Sequence, residues 1–261
     1  MDSEETSERG RQISLSERNM KKEDSSGVSR AILLLSGGLD SATLLYFVRH
    51  ELKREKILAL SFIYGQRHAR ELEMARYQAQ RAGVVEHQVL DISFFGDLTA
   101  GRTALSAGGL PVPDLDELDD EARRQPPTYV PHRNLLFLSL AAATAESAGI
   151  QDVFYGAQAQ DAYGYWDCTQ AFVDRLNDVL SLNRDRAVTV HAPFASKSKA
   201  EIVKIGLALD VDYAHTWTCY RGQAQPCETC PSCVEREAAF KTANARDPLM
   251  SGNGGQSPRP V

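Results

Sequence analysis

The chain has few cysteines, no excess of positive charge and no long apolar segment. No run approaches the roughly 20 apolar residues that span a bilayer, and the first 30 residues lack the continuous apolar core of a secretory signal. Only five cysteines occur in 261 residues, and four of them lie between positions 219 and 233. These absences argue against a membrane protein and a secreted disulfide framework, and they predict a cytoplasmic protein with reduced thiols.

The net charge of −6 argues against one class of partner. Nucleic-acid phosphates are attracted in bulk by lysine and arginine, which displace counterions, and this chain carries 35 acidic against 29 basic side chains. A general nucleic-acid binder is therefore not expected, although a local basic patch stays open. The hydrophobic share of 43% and the charged share of 25% are ordinary for a globular protein.

The two ends of the chain differ from its middle. Residues 1–29 are rich in Ser, Glu and Arg, and residues 244–261 contain Gly, Pro and Ser without periodicity. Such segments bury too little apolar surface to offset the entropy of ordering. We therefore predict two disordered tails around one domain, residues 30–243, which includes the cysteine cluster.

Between the tails, short apolar runs alternate with segments of helical periodicity. The apolar runs predict five strands: Ala31–Leu35, Ile57–Ile63, His87–Asp91, Asp152–Tyr155 and Val188–Val190. Spacings of three and four predict helices at Leu44–Leu52, Leu72–Ala82, Leu135–Ala145 and Lys199–Leu209. The alternation predicts an α/β fold with a doubly wound parallel sheet, whose ligands bind beyond the carboxyl ends of the strands.

Residues 96–130 interrupt this alternation with many Gly, Pro and Asp residues. A long irregular insertion in a compact domain is usually a functional lid or a disordered excursion. The sequence favours neither of the two.

A glycine-rich turn joins the first predicted strand to the first helix, with the sequence Leu35-Ser36-Gly37-Gly38-Leu39-Asp40-Ser41-Ala42. Its glycines allow a tight turn and a close approach of the backbone to a ligand, and the free N–H groups of a helix start bind anions. Asp40 suits such a site if it holds a magnesium ion that bridges to phosphates. The plainer alternative is a structural turn in which Asp40 or Ser41 is the helix N-cap.

The string S-G-G-x-D-S in this turn is similar to the pyrophosphate loop (PP-loop) of the ATP-pyrophosphatase superfamily. No G-x-x-x-x-G-K-[ST] string of a P-loop is present. The resemblance implies that residues 35–42 bind ATP and that ATP is cut between its α- and β-phosphates. It also implies that Ser36, Asp40 and Ser41 act on the reacting phosphates.

The clustered cysteines, Cys219, Cys227, Cys230 and Cys233, follow the pattern C-x₇-C-x₂-C-x₂-C. Four thiolates at this spacing suit tetrahedral zinc, although an iron–sulfur cluster also takes four cysteines. A redox pair fits less well, because the motif has extra ligands and no thioredoxin-like setting. We predict a structural zinc site that ties the C-terminal segment to the domain.

Six stretches, in order, resemble the 7-cyano-7-deazaguanine synthase family of queuosine precursor synthesis. They are LLLSGGLDSAT (33–43), LSFIYGQRHARELE (60–73), TYVPHRNLLFLSLA (128–141), YGAQAQDAYGYWDC (155–168), KAEIV (199–203) and TWTCYRGQAQPCETCPSC (216–233). The resemblance covers the chain between the two tails. It implies a doubly wound sheet, usually in a homodimer, with ATP, Mg²⁺ and a structural Zn²⁺.

The reaction that the resemblance implies converts 7-carboxy-7-deazaguanine, ammonia and two molecules of ATP into a nitrile. A carboxylate is a poor electrophile, so the first ATP turns it into an acyl-adenylate, from which ammonia displaces AMP. A second ATP activates the oxygen of the resulting amide, and elimination gives the nitrile. Catalysis should then depend mainly on positioning and electrostatic stabilisation.

Three polar residues outside the loop are candidates for nucleotide contacts. Gln66 and Arg67 follow the second strand, and the planar fork of Arg67 suits a phosphate, unless this arginine is merely solvated. Lys199 begins a helix after the fifth strand and suits a phosphate too, unless it is exposed. We count Arg67 and Lys199 with the catalytic residues.

Five further residues are candidates for the deazaguanine acid. Arg133 and Asn134 open the buried helix, and a charged residue there needs a partner, which we expect to be the ligand. Asp161, Tyr165 and Asp167 follow the fourth strand and suit the polar edge of a deazaguanine. Asp167 serves equally well as a helix N-cap.

Alternative functions stay open where the chain departs from the family. The family more often has alanine at His132 and proline at Trp166, and the segment 194–198 is atypical. These departures motivate an enzyme that transfers the adenylated acid to a larger amine, on a protein or nucleic acid, and stops at the amide. A scaffold with a degenerate nucleotide site is the alternative from another class, and a thiolating or argininosuccinate-like activity is more remote. We expect Cys168 to be a packed residue, and we assign no catalytic role to His132 or His215.

Overall fold

The computed structural model describes residues 29–66, 70–106, 109–119, 126–159 and 164–250. Its sheet is formed by β1 (Arg30–Leu34), β2 (Lys56–Ile63), β3 (Glu86–Asp91), β4 (Asp152–Phe154) and β5 (Thr189–His191). All five strands predicted from apolar runs are present. Each end of each strand lies within one residue of the predicted position.

The strands are parallel throughout and lie in the order β3-β2-β1-β4-β5. Ile32 of β1 pairs with Leu58 of β2 on one side and with Val153 of β4 on the other. The chain therefore winds outward in one direction from β1 and in the opposite direction from β4. This confirms the predicted doubly wound sheet, and the reversal between β1 and β4 is where such sheets bind ligands.

Helices cover both faces of this sheet. Their bounds are α1 (Leu39–His50), α2 (Arg70–Arg81), α3 (Phe94–Leu98), α4 (Arg133–Ala148), α5 (Gln170–Leu180), α6 (Lys199–Ala208) and α7 (Pro231–Thr242). One core lies under α4 and α5, and the other lies under α1, α2, α6 and α7. Alternate residues of β1 serve the two cores, since Ile32 belongs to the first and Leu33 to the second.

Two helix ends fix the position of residues near the sheet reversal. α6 begins with a capping box, in which Ser198 and Glu201 satisfy each other's backbone N–H groups, so Lys199 is held as the first helical residue. α4 ends at Gly149, whose φ of +65° is the left-handed conformation that favours glycine at a helix end.

None of the helices in the described ranges combines the length and the apolar content needed to cross a bilayer.

The sequence-based prediction missed α3, α5 and α7. Thr169 is the N-cap of α5, and its hydroxyl accepts a hydrogen bond from the backbone N of Phe172 at 3.2 Å. The helix buries Phe172, Val173 and Leu176 at helical spacing. α7 starts at Pro231, inside the cysteine cluster. Its buried positions include a cysteine and an arginine, which do not give the apolar periodicity used to predict helices.

Residues beyond the predicted domain boundary at residue 243 pack against the domain. The described chain continues to residue 250, and Asp247 is only 5% exposed. Asp247 accepts two hydrogen bonds from the guanidinium of Arg236, at 2.7 and 2.9 Å. A buried carboxylate is tolerated when it is paired in this way. The other parts of the predicted tails, residues 1–28 and 251–261, lie outside the described residues.

The described parts of the insertion 96–130 pack against the cysteine segment. Ala104 and Val112 belong to a small core that contains Trp217 and three of the clustered cysteines. Asp114 accepts a hydrogen bond from Arg221 at 2.7 Å. These parts are therefore ordered rather than a disordered excursion, and they pack against the segment that contains the clustered cysteines.

Candidate functional site

A cavity of about 240 Å³ opens at the carboxyl ends of β1, β2 and β4. The residues that follow these strands line it, among them Leu35, Tyr64 and Gly156. The first turns of α1, α2, α4 and α6 also reach it, as does the segment before the cysteines. The cavity therefore lies where the reversal of strand order predicts a ligand.

One end of the cavity is the glycine-rich turn, here called the phosphate loop (residues 35–42). The hydroxyls of Ser36 and Ser41 lie 2.9 Å apart, and each also bonds to the loop backbone. Gly38 is the N-cap of α1, so neither Asp40 nor Ser41 caps the helix, contrary to the plainer alternative. The side chains brace the turn, and the first N–H groups of α1, which have no partner within a helix, face the cavity end.

Gly37 can be nothing but glycine in this turn. Its φ is +86°, and a Cβ atom there would overlap the backbone carbonyl of Glu71 and lie 2.6 Å from the backbone N of Ala75. The loop and the first turn of α2 therefore touch through backbone atoms. Trp217 also stabilises the phosphate loop, because its backbone N donates a hydrogen bond to the carbonyl of Gly37 at 2.9 Å.

Charged side chains surround the inner side of the phosphate loop. Oδ1 of Asp40 is buried and has no hydrogen-bond partner among the described residues. Burial raises the pKa of Asp40, and the positive charge of Lys199 opposes that rise. Lys199 is 6% exposed, and its Nζ lies 2.9 Å from Oε2 of Glu235. An orphaned carboxylate oxygen beside a helix start fits a hydrated divalent cation that also contacts phosphates.

The four clustered cysteines converge on one point. Their sulfur atoms all lie within 4.8 Å of one another, and the backbone N–H groups of Cys227 and Cys230 donate to neighbouring sulfurs. Hydrogen bonds from Cys230 and Cys233 lower the pKa of Cys219, and hydrogen bonds with Cys219 and Cys230 raise the pKa of Cys233. Four sulfur atoms this close together can hold a metal ion.

Helix α7 connects the cysteines to the phosphate loop. It begins after Cys230, carries Cys233 in its first turn and contributes Ser232 and Arg236 to the cavity wall. Arg236 is fully buried and donates to the hydroxyls of Thr216 and Thr218, and to the carbonyl of Tyr213. The segment around Trp217, which bonds Gly37, is therefore held in place by α7, the helix that starts in the cysteine cluster.

The other end of the cavity is aromatic and cationic. Phe62 stacks on Phe137 at a centroid distance of 4.1 Å, and Tyr64 meets the same ring edge-on at 5.4 Å. The guanidinium of Arg133 lies 6.0 Å from the centre of the Tyr64 ring. A planar heteroaromatic acid matches this surface, because the rings offer stacking and the arginine offers a fork for a carboxylate or phosphate.

Glu71 lines the cavity in the first turn of α2. Burial raises the pKa of Glu71 to about 7, and the positive charge of Arg133 works against that rise. Sequence reasoning did not single out this residue, although it lies in the matching stretch 60–73. Its position beside Gly37 becomes visible only once α2 is folded against the phosphate loop.

Most residues predicted for the nucleotide line the cavity, but not all do. Leu35, Ser36, Gly38, Leu39, Asp40, Ser41 and Lys199 are on its wall, whereas Ala42 is buried in the core below. Gln66 lines the cavity too, but its amide is committed to the end of β2, bonding the backbone N of Tyr64 and the carbonyl of Phe62. Arg67 lies outside the described residues.

The residues predicted for the deazaguanine acid separate into two groups. Arg133 and Asn134 line the cavity, as does Cys168, whose sulfur accepts a hydrogen bond from the amide of Asn134 at 3.3 Å. Asp167 is buried, and its carboxylate accepts a hydrogen bond from the backbone N of Asn134 at 3.3 Å, in the first turn of α4. Thr169, and not Asp167, is the N-cap of the helix that follows, and contact of Asp167 with the substrate stays a prediction.

Tyr165 is absent from the described cavity wall, and its hydroxyl forms a hydrogen bond with that of Thr128 at 2.5 Å. Asp161 lies outside the described residues. His215 pairs with Asp212 and stacks on Tyr77, away from the site. His132, to which no catalytic role is assigned, is exposed and is absent from the cavity wall.

The departures from the family pattern lie away from the cavity wall. Trp166 is 44% exposed, and its indole N–H donates to the hydroxyl of Tyr129 at 2.8 Å. His132 meets the edge of this indole. Phe194 is fully buried and packs against Phe47 in the core. None of these side chains touches the described wall of the cavity.

Several cavity residues were not found from the sequence. Besides Glu71, they include Ser61, Tyr64, Trp217, Tyr220, Ser232 and Arg236. Tyr64 and Trp217 lie inside matching stretches, so the resemblance contains a signal for them. Arg236 lies beyond the last matching stretch, and an isolated arginine on a helix gives no sequence signal that it is buried.

Comparison with known proteins places this site in a family. A family model described as "Queuosine biosynthesis protein QueC" matches residues 30–244. The protein named 7-cyano-7-deazaguanine synthase from Clostridium kluyveri is 39% identical over 228 residues, which are 85% of this chain and 97% of that protein. The protein of the same name from Chromohalobacter salexigens is 42% identical over 231 residues, covering 88% of each chain.

Among solved structures, the U34-tRNA thiolase NcsA from Methanococcus maripaludis, with its [4Fe-4S] cluster, aligns at a TM-score of 0.45 and 14% identity. That alignment covers 91% of this chain and 78% of the thiolase, and it is too weak to assign a function. The family model and the curated relatives, by contrast, each cover most of the chain. The chain belongs to the QueC family of queuosine biosynthesis proteins.

Proposed function

We propose that this chain is an ATP-dependent carbon–nitrogen ligase that converts 7-carboxy-7-deazaguanine and ammonia into 7-cyano-7-deazaguanine. The main support is one cavity with a phosphate loop at one end and an aromatic, cationic surface at the other. The family relationship supports the same substrate, because relatives of nearly equal length have the name of this synthase.

The geometry suits an adenylation. The phosphate loop would hold the triphosphate through backbone N–H groups and the hydroxyls of Ser36 and Ser41. Arg133 and the rings of Tyr64 and Phe137 would hold the deazapurine acid, with its carboxylate toward the α-phosphate. Lys199 and the predicted Arg67 would offset the charge that develops as pyrophosphate leaves.

The proposal includes two metal ions with separate roles. Mg²⁺ would bind with ATP, on the orphaned oxygen of Asp40. Zn²⁺ would bind the four cysteines as a structural ion, and a closed set of four thiolates leaves no position for catalysis. Zinc is favoured over an iron–sulfur cluster because tetrahedral Zn²⁺ with bonds of about 2.3 Å places its sulfurs about 3.8 Å apart, within the observed limit of 4.8 Å.

We also propose a cytoplasmic homodimer. Support for self-association comes from an apolar groove of about 770 Å³ between α4 and α5, separate from the cavity. Beside it, Val179 and Leu182 are 62% and 76% exposed. A contiguous apolar surface of this kind is typical of an interface.

Transfer to a larger amine is less well supported. The departures that motivated it, at His132, Trp166 and Phe194, do not line the cavity.

The test is incubation of the purified chain with MgATP, 7-carboxy-7-deazaguanine and ¹⁵N-ammonium. We expect the ¹⁵N-nitrile by mass spectrometry, with two molecules of AMP formed for each nitrile. The Asp40→Ala variant should form neither. AMP release without any nitrogen-labelled product would contradict the proposal, and a labelled amide that never becomes a nitrile would limit it to the first half of the reaction.

A further inference from the structure

The cavity wall contains two carboxyl groups among its described residues, those of Asp40 and Glu71. Asp40 lies on the phosphate side, beside Lys199 and Glu235, where a cation or a phosphate would occupy it. Glu71 is on a different element, α2, and the charged residue that influences it is Arg133. The two acids therefore belong to different parts of the site.

Glu71 stands at the junction of the two cavity ends. Its backbone carbonyl lies directly against Gly37 of the phosphate loop, as the overlap with a Cβ at that position shows. Its side chain belongs to the same wall as Tyr64 and Arg133 of the aromatic end. An acyl-adenylate that spans the cavity would have its phosphate at the loop and its ring at the aromatic end. Its reacting carbonyl would then lie near Glu71.

We propose that Glu71 is a catalytic residue that takes the protons released from nitrogen when ammonia becomes the amide and the amide becomes the nitrile. This inference rests on the proposed function, since it needs an acyl-adenylate in the cavity. No other described residue of the wall combines a carboxylate with this junction position.

The proton balance of the first step needs such a group. The lone pair of ammonia attacks the acyl carbon and forms the C–N bond, and one N–H proton passes to the carboxylate of Glu71. The C–O bond to the phosphate then breaks, and AMP leaves with the electron pair. The products are the amide, AMP and a protonated Glu71, which returns its proton to water before the next turn.

The second step has the same requirement. The amide oxygen attacks the α-phosphate of the second ATP and pyrophosphate leaves, which gives a cationic imidate with two N–H protons. One of these protons passes to water. The other passes to Glu71 as the C≡N bond forms, and the C–O bond breaks with its electron pair going to AMP. The carboxyl environment suits both transfers, because burial raises the pKa of Glu71 to about 7. A general base is most effective when its pKa lies near the working pH.

The test separates adenylation from nitrogen transfer by comparing Glu71→Gln with the native enzyme and with Glu73→Gln. Glu73 is exposed on the same helix and serves as the matched control. Adenylation is followed as exchange of labelled pyrophosphate into ATP, which depends on the acid and needs no ammonia. Nitrogen transfer is followed with ammonium and, separately, with hydroxylamine, which is a weaker base and is already neutral at pH 7.

We expect Glu71→Gln to keep its pyrophosphate exchange within about threefold of the native rate and to lose about 10²–10⁴-fold of the ammonia-dependent product. Hydroxylamine should give hydroxamate within about tenfold of the native rate, because its nitrogen, once bonded to carbon, is more acidic and can lose its proton to water without a base. Glu73→Gln should match the native enzyme. If Glu71→Gln lowers exchange and both transfers equally, Glu71 binds the acid or supports the fold, and the inference is wrong.

A variant with native ammonia turnover would overturn the inference as well. Should Glu71→Gln not fold, Glu71→Asp keeps the carboxylate and withdraws it from the junction. We then expect the ratio of ammonia transfer to hydroxylamine transfer to fall, and an unchanged ratio would contradict the inference. Failure of the proposed function is distinguished by the native enzyme itself, which would then show no exchange that depends on the acid.

Discussion

The two ends of the cavity hold their polar groups by different means. At the phosphate loop, contiguous residues 35–42 present backbone N–H groups, and the serines brace the turn from within. At the aromatic end, the functional groups are side chains from separate elements, with Tyr64 after β2, Glu71 on α2 and Arg133 on α4. The first end is a backbone conformation, whereas the second end is an assembly of side chains.

This difference determines which substitutions each end of the cavity tolerates. A backbone site depends on φ angles and close approach, so changes that add a Cβ should destroy it, whereas loss of one hydroxyl should only weaken it. An assembled site depends on the identity of each side chain, so conservative replacements there should have graded effects.

Gly37→Ala should abolish ATP turnover, with a loss of at least about 10³-fold, or about 4 kcal/mol. The added methyl group would push the loop off the backbone of Glu71 and Ala75, and φ at +86° disfavours any Cβ. The measurement is formation of AMP in the presence of the acid. Gly101→Ala is the matched control, because Gly101 has a φ of +74° and open space around it. It should lose about 1–2 kcal/mol of stability and keep its activity; equal activity losses in both variants would refute the steric argument.

The same contrast explains what the sequence could predict. Residues 35–42 are contiguous and follow an apolar run, so the loop could be recognised with its strand and helix. The cysteine spacing is also local and identifies a metal site without the fold. Glu71 and Arg236, however, are distant from the loop in sequence and reach it only through the packing of α2 and α7. Asp167 has the chemical type expected of a substrate contact, and its hydrogen bond to the backbone N of Asn134, far from it in sequence, becomes visible only in the folded chain.

Cys230→Ser should test how far the phosphate loop depends on the cysteine cluster. Loss of one ligand should remove the metal ion and cost on the order of 4 kcal/mol of unfolding free energy. Because α7 holds the segment that bonds Gly37, ATP affinity should fall more than affinity for the acid. Metal content, chemical denaturation and the two dissociation constants are the measurements.

Cys168→Ser is the control for this comparison. Its sulfur belongs to the aromatic end, beside Asn134. It should therefore keep the metal ion and change the affinity for the acid more than that for ATP. The same response in both variants would mean that the cysteine cluster supports the whole fold and not one end of the cavity.

Arg133→Met should lower kcat/KM for the acid by about 10²-fold, or about 2.7 kcal/mol, since a charged hydrogen-bond donor is lost. Its effect on pH dependence has a definite sign. Arg133 lowers the pKa of Glu71 toward about 7, so its removal raises that pKa. The ionised, proton-accepting fraction then falls at a given pH, and the rising limb of the ammonia-dependent rate should move to higher pH. Arg133→Lys keeps the charge and should leave the limb in place; a limb that stays unchanged in Arg133→Met would rule out electrostatic coupling between the two residues.

Substitutions of Asp167 should have the smallest effect on activity. They distinguish a hydrogen bond that supports the start of α4 from a contact with the substrate. Asp167→Ala removes the acceptor for the backbone N of Asn134. Loss of a side-chain acceptor at a helix start lowers the free energy of unfolding by about 1 kcal/mol. Asp167→Asn keeps an acceptor oxygen, and burial already disfavours the charge of Asp167 by raising its pKa, so its stability should stay close to native. Both variants should keep KM for the acid within about threefold, measured beside denaturant unfolding. A stable Asp167→Asn with a tenfold higher KM would restore Asp167 to the substrate site, because only loss of the negative charge would then explain the weaker binding.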